Sequence, residues 1–132
     1  MTKLREIYRS AASRYQALVG REDTQGNLLP AILNAAPLQR KDIIELGAGT
    51  GRVTCLIVPY ARSLVAADIS HHMLAYGRER ITALGLKNWR LSLESHRELP
   101  FANDSADIMI AGWSFCYAAI DAKEGWQPAL EQ

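Results

Sequence analysis

The stretch DIIELGAGTGRV, residues 42–53, joins a short apolar run to a turn with glycine at every second position. The run DIIEL is typical of a buried strand, and the residues after the last glycine are typical of a helix. Gly47, Gly49 and Gly51 lack Cβ atoms, so a ligand can approach the main chain closely. Free N–H groups at the start of the following helix favour a carboxylate or a phosphate group. The stretch therefore predicts a ligand-binding turn.

Strands and helices alternate through the rest of the chain, which predicts an α/β sandwich built on a parallel sheet. Ser70 is the predicted N-cap of the longest helix of this alternating part, and Gly85 follows the end of that helix. Residues 1–40 are predicted to be a helical segment with two helices, and residues 41–132 a separate α/β domain. The predicted helices are 2–18, 27–36, 50–61, 70–85 and a tail from about 121; the predicted strands are 41–47, 63–68, 88–95 and 105–112.

Composition excludes several classes of protein. Apolar residues make up 48% and charged residues 22% of the 132 residues, with a formal net charge of +1. That balance gives no overall attraction to nucleic acid or to an anionic membrane. Cys55 and Cys116 lie far apart without metal-ligand spacing, which favours a reducing, cytoplasmic setting. We expect no metal, no nucleic-acid partner and no membrane segment.

The spacing of the glycines separates two classes of ligand. A dinucleotide-binding turn needs its third glycine three positions after the second. Arg52 occupies that position here, and its bulk would crowd such a turn. The sequence instead has the spacing GxGxG, with Glu45 two residues before the first glycine. A nucleotide-dependent oxidoreductase is therefore the weaker alternative.

Three motifs in order resemble the class I S-adenosylmethionine-dependent methyltransferases, particularly the group that includes ubiquinone and menaquinone biosynthesis enzymes. The motifs are ELGAGTGR at 45–52, DISHHMLAYGR at 68–78 and ELPFANDSADIMIAG at 98–112. The resemblance extends over about residues 41–115. It implies a Rossmann-like three-layer sandwich with a mainly parallel sheet of about four strands in the order 3-2-1-4.

The resemblance also implies which residues bind S-adenosyl-L-methionine. The turn would cradle the methionine end of the cofactor, Asp68 would accept hydrogen bonds from the ribose hydroxyls, and Ile69 would lie against the adenine. Trp113 and Ser114 would line the substrate pocket, and no catalytic residue is assigned. The full cofactor-binding set is Glu45, Gly47, Ala48, Gly49, Gly51, Asp68, Ile69, Ser95, His96 and Gly112.

The sequence departs from the family pattern after the third strand. Many relatives have an aspartate there that binds the adenine amino group, whereas this chain has Ser95, with Glu94 before it and His96 after it. A hydroxyl accepts a hydrogen bond more weakly than a carboxylate does. We therefore expect weaker cofactor binding, or Glu94 as the substitute acceptor.

The chain is also shorter than the resemblance leads one to expect, because family members continue with further strands. We expect a methyltransferase truncated at its C-terminus, whose fourth strand lies at the edge of the sheet. An apolar edge strand promotes pairing with another chain. The sequence thus predicts a homo-oligomer formed through the fourth strand, or a marginally stable domain.

The predicted function is methyl transfer from S-adenosylmethionine to a small-molecule acceptor, with catalysis mainly by positioning the nucleophile in line with the methyl group. The alternative from another class is a non-catalytic module that binds the cofactor or associates with a partner chain.

Overall fold

The computed structural model describes residues 11, 12, 17, 25–95 and 99–112. The predicted first helix lies outside these residues except for three positions, and the predicted tail helix lies wholly outside them. The elements are α1 (Leu28–Ala35), β1 (Asp42–Leu46), α2 (Arg52–Ile57), β2 (Ser63–Asp68), α3 (His71–Thr82), β3 (Trp89–Leu93) and β4 (Ile108–Ala111). The elements predicted from sequence over residues 27–112 are therefore confirmed, with α2 shorter than the helical pattern indicated.

The four strands form one parallel sheet in the order β3-β2-β1-β4, as predicted. Helix α2 connects β1 to β2, and helix α3 connects β2 to β3, because parallel neighbours require a crossover. Ser70 caps α3, and its hydroxyl accepts the Met73 N–H at 3.3 Å. The parallel arrangement brings the carboxyl ends of all four strands to one edge of the sheet.

Both faces of the inner strands β1 and β2 are covered, which explains why these strands are continuous apolar runs. One face carries the larger core cluster, which packs against α1 and α2, and the other packs against the loop that precedes β4. The first cluster contains Leu38, Ile43, Ala48, Val53, Ile57, Val58, Leu64 and Ala66. The second contains Ile44, Leu46 and Ala67, with Leu99, Phe101 and Ala106 packed against them.

Strand β4 lies at one edge of the sheet, as the resemblance implied. Within residues 25–95 and 99–112 it pairs with β1 alone. Ile108 and Ile110 pack against the larger core cluster, whereas Met109 points to the other side and is 50% exposed. The apolar run of β4 is thus only partly buried by the described residues.

The amino end of the sheet is tied together around Asp42. Arg62 donates to both carboxylate oxygens of Asp42, and the Ser63 hydroxyl donates to one of them at 2.7 Å. The hydrogen bonds from Arg62 and then Ser63 lower the pKa of Asp42 to about 2. Asp107 accepts the Asp42 N–H at 2.9 Å and donates its own N–H to the Asp42 carbonyl at 2.8 Å. Asp107, part of the third motif, therefore fixes the start of β4 against β1.

No helix within the described residues is both long enough and apolar enough to span a membrane.

Replacing Leu64 with alanine tests the core. Leu64 is 1% exposed in the inner strand β2, so the substitution leaves a cavity and we expect the free energy of unfolding to fall by about 2–5 kcal/mol. Leu84→Ala is the matched control, since Leu84 is 44% exposed. Urea denaturation followed by circular dichroism measures both, and equal losses in the two variants would contradict the described core.

Candidate functional site

Three segments and one glycine meet at the carboxyl edge of the sheet. Residues 47–51 follow β1, residues 68–70 end and follow β2, residues 94–95 follow β3, and Gly112 follows β4. Since the strands are parallel and adjacent, these positions share one edge. In open parallel sheets, ligands bind at this edge. The described part of the predicted cofactor-binding set therefore lies together.

The glycine turn has a backbone conformation that residues other than glycine rarely adopt. Gly47, Gly49 and Gly51 have φ angles of 68°, 56° and 82°. The turn is held by backbone hydrogen bonds: the Ala48 N–H donates to the Ala67 carbonyl at 3.0 Å, and the Gly51 N–H donates to the Ala48 carbonyl at 2.9 Å. Positive φ at three positions explains why the sequence has glycine at each of them.

Asp68 joins this turn to the end of β2. Its side chain is buried, with 6% of the residue exposed. One carboxylate oxygen accepts the Gly49 N–H at 2.8 Å, and the other accepts the Ser70 N–H at 2.8 Å. Asp68 therefore holds the glycine turn and the start of α3 together.

Glu45 lies beneath the turn. It is 3% exposed, and its carboxylate accepts a hydrogen bond from the Thr54 hydroxyl of α2. Burial raises the pKa of Glu45 to about 7; the Thr54 hydrogen bond opposes this shift, and the nearby Asp68 charge adds to it. Glu45 is therefore poised to change its protonation state near neutral pH.

The end of β3 lies next to Asp68. The Glu94 N–H donates to the Asp68 carbonyl at 2.9 Å, and the Glu94 carboxylate accepts from the Ser92 hydroxyl at 3.0 Å. Ser95 follows and is partly buried. Ile69 is 72% exposed beside Asp68, so an apolar surface adjoins the carboxylate. The choice between Ser95 and Glu94 as the adenine acceptor remains a prediction.

Three predicted site residues lie outside the described residues: His96, Trp113 and Ser114.

Two residues that contact the site were not predicted from the sequence. Thr54 is buried on α2 against Glu45, and Arg80 of α3 donates to the Thr50 carbonyl of the turn at 2.8 Å. Neither belongs to a motif. The sequence signal for Arg80 was its helical spacing from buried residues. It lies seven residues after Met73 and next to Ile81, both of which α3 buries.

A cavity of about 240 Å³ lies elsewhere, under the loop that precedes β4. It is lined by residues from the amino-terminal halves of the strands, including Asp42, Ser63 and Arg90. It is therefore not part of the edge that carries the glycine turn. Within the residues that the structure describes, no group of three or more His, Cys, Asp or Glu side chains is arranged to hold a metal ion.

The sheet order, the glycine turn after β1 and the acidic residue ending β2 together define a Rossmann-like domain of the methyltransferase class. Comparison with known families agrees. The family described as "Methyltransferase domain" matches residues 43–130, more than half of the chain. The chain therefore belongs to the methyltransferase domain family.

The known proteins that are similar in sequence are named for different substrates. The chain is similar to ribosomal RNA small subunit methyltransferase A of Mycoplasma mobile, with 29% identity over 85 residues, covering 64% of this chain and 32% of that protein. It is also similar to phosphoethanolamine N-methyltransferase 1 of Caenorhabditis elegans, with 29% identity over 87 residues, covering 65% of this chain and 18% of that protein. The chain thus spans a third or less of the length of these relatives.

Among solved structures, the chain resembles phosphoethanolamine N-methyltransferase 1 of Haemonchus contortus, determined with phosphoethanolamine and S-adenosylhomocysteine. The TM-score is 0.63 at 21% identity, covering 89% of this chain and 27% of that one. This likeness confirms the predicted fold.

The titration of Glu45 gives a testable pH dependence. Its pKa rises from 4.5 to about 7 on folding, so between these values the folded protein holds a proton that the unfolded chain releases. The contribution of Glu45 to stability is therefore full below about pH 4.5 and is lost as the pH rises through about 7.

Glu45→Gln removes this titration and keeps an acceptor for Thr54. We expect the free energy of unfolding of the parent protein to decrease relative to that of the variant from pH 4.5 to pH 7.5. Urea denaturation at several pH values measures the difference, and a constant difference across this range would contradict the assignment.

Proposed function

We propose that the chain binds S-adenosyl-L-methionine at the carboxyl edge of its sheet and transfers the methyl group to an acceptor. The observation that carries this proposal is the hydrogen bond from the Gly49 N–H to Asp68. It joins the glycine turn after β1 to the acidic residue ending β2, in a chain of the methyltransferase domain family. The Haemonchus relative with S-adenosylhomocysteine bound, which has the same fold, supports the choice of cofactor.

The chemistry of the described residues fits this cofactor. The turn that contains Gly47, Gly49 and Gly51 has no side chains at three positions, so the methionine end of the cofactor can lie against its backbone. The Asp68 carboxylate is of the acceptor type that binds ribose hydroxyls. The exposed side chain of Ile69 offers an apolar surface for the adenine. Glu45, Ala48, Ser95, His96 and Gly112 complete the proposed binding set.

The role of the chain is to bind and orient the reactants. When bound, S-adenosylmethionine supplies a methyl group on a positively charged sulfur, which a nucleophile of the acceptor attacks directly. Hydrogen bonds at Gly49, Gly51 and Asp68 fix the backbone against which the cofactor lies. We propose that acceleration comes mainly from holding the acceptor in line with the methyl group, with Trp113 and Ser114 lining its pocket.

We propose a small molecule as the acceptor. The formal net charge of +1 supports this choice, since strong binding of a nucleic-acid backbone depends on an excess of cationic groups. The similarity to a phosphoethanolamine N-methyltransferase points the same way. RNA is the second candidate, because another relative of equal identity is a ribosomal RNA methyltransferase.

We further propose that residues 1–40 form a helical segment beside a cofactor domain at 41–132, and that the protein acts in the cytoplasm. A homodimer formed through β4 is supported by the edge position of that strand and by the half-exposed Met109. Light scattering after size exclusion tests the oligomer, and a stable monomer would contradict it.

Calorimetric titration tests the cofactor. We expect binding of S-adenosylmethionine and S-adenosylhomocysteine, and none of NAD. Asp68→Ala removes the acceptor of the Gly49 N–H and of the ribose, so we expect a loss of affinity of at least about a hundredfold, as two charge-assisted hydrogen bonds imply. Glu79→Ala is the control, since that acidic residue is exposed on α3. Tight binding of NAD alone would overturn the proposal.

Methyl transfer from labelled cofactor tests the reaction and its acceptor. The protein is incubated with a pool of small metabolites in one arm and with total RNA in the other. Label in the first arm supports a small-molecule acceptor, and label in RNA alone would favour the second candidate. Cofactor binding without transfer in either arm would favour a non-catalytic binding module.

A further inference from the structure

Helix α3 lies directly against the glycine turn. Gly77 is buried in the middle of this helix. A Cβ atom added to Gly77 would lie 3.0 Å from the carbonyl carbon of Thr50 and 3.1 Å from the carbonyl oxygen of Gly49. The helix and turn backbones are therefore packed so closely that even a methyl group at this position would be crowded.

Arg80 extends from the next turn of the same helix to the same backbone. Its Nη1 donates to the Thr50 carbonyl at 2.8 Å, and the side chain is partly buried. Thr50 itself is 2% exposed. A hydrogen bond from a guanidinium is stronger than one from a neutral donor, and more so away from water.

The Thr50–Gly51 peptide group is thus held on both sides. Arg80 binds its carbonyl oxygen, and its N–H, which belongs to Gly51, donates to the Ala48 carbonyl at 2.9 Å. Peptide groups are planar, so fixing both ends fixes the orientation of the whole unit. Two residues before Gly51, the Gly49 N–H is fixed by Asp68.

This restraint is significant because the turn has little stiffness of its own. Glycine at three of five positions leaves the unrestrained backbone many conformations. A ligand that binds a mobile turn must offset the loss of that freedom, and a turn already held in one conformation avoids this cost. Contacts from outside the turn therefore determine how well it binds.

We infer that Arg80 is a positioning residue for the cofactor turn, which it holds in the binding conformation through the Thr50 carbonyl. The inference rests on the proposed function, because it concerns affinity for S-adenosylmethionine and its product. Arg80 acts from the outer side of the turn through the backbone. Gly77 makes this possible by admitting the helix.

Substitution of Arg80 by methionine tests the inference. Methionine keeps an unbranched stem and a high helix propensity but removes the donor and the charge. We expect Arg80→Met to weaken binding of S-adenosylhomocysteine about tenfold, the effect of one charge-assisted hydrogen bond. Arg80→Lys keeps a charged donor and should restore most of the affinity. Arg78→Met is the matched control, because Arg78 is exposed on the same helix, and should bind as the parent does.

Amide hydrogen exchange of the ligand-free proteins separates this inference from the proposed function. We expect faster exchange at Gly49 and Gly51 in Arg80→Met than in the parent and in Arg78→Met, with unchanged rates at the strand residues Leu46 and Ala67. If the parent binds no S-adenosylhomocysteine, the proposed function fails and exchange alone decides whether Arg80 holds the turn.

Two results would overturn the inference. One is unchanged exchange at Gly49 and Gly51 in Arg80→Met, and the other is unchanged affinity in that variant while the parent binds. If Arg80→Met does not fold, Arg80→Leu, which also lacks a donor and a charge, is measured in the same two ways. Equality of Arg80→Leu with the parent in either measurement, while the parent binds, overturns the inference, and a loss in both supports it.

Discussion

The hydrogen bond between the Gly49 N–H and the Asp68 carboxylate is the contact on which the candidate site depends. It joins the turn after β1 to the end of β2, alongside the backbone hydrogen bond from the Ala48 N–H to the Ala67 carbonyl. The donor is a glycine N–H at a positive φ of 56°, and the acceptor, 2.8 Å away, is a buried carboxylate. The sheet register, which pairs Leu46 with Ala67, brings the two groups within reach.

Around this contact the protein buries two acidic side chains, Glu45 and Asp68, close enough that the charge of one raises the pKa of the other. Burial of a charged group is costly unless hydrogen bonds compensate it. Asp68 accepts two backbone N–H groups, whereas Glu45 accepts the Thr54 hydroxyl. Two carboxyl groups of similar burial therefore have different contacts: Asp68 holds the turn, and Glu45 lies beneath it.

The sequence predicted the glycine turn and the acid ending β2 from local patterns and motif spacing, and it predicted the strand order through the resemblance to the methyltransferase family. It predicted nothing of Thr54 or Arg80. Each contacts the site through a single hydrogen bond whose partner is distant in sequence: Thr54 is nine residues from Glu45, and Arg80 is thirty residues from Thr50. Such pairs leave no periodic signal beyond their place on the buried side of a helix.

What the sequence determined by itself is the class of turn. Gly47, Gly49 and Gly51 permit a backbone that other residues rarely adopt, and Arg52 excludes the dinucleotide spacing. Only the tertiary structure decided what holds that turn in place. Glycine confers conformational freedom and no preference among conformations, so the restraint comes from Asp68 on β2 and from Gly77 and Arg80 on α3.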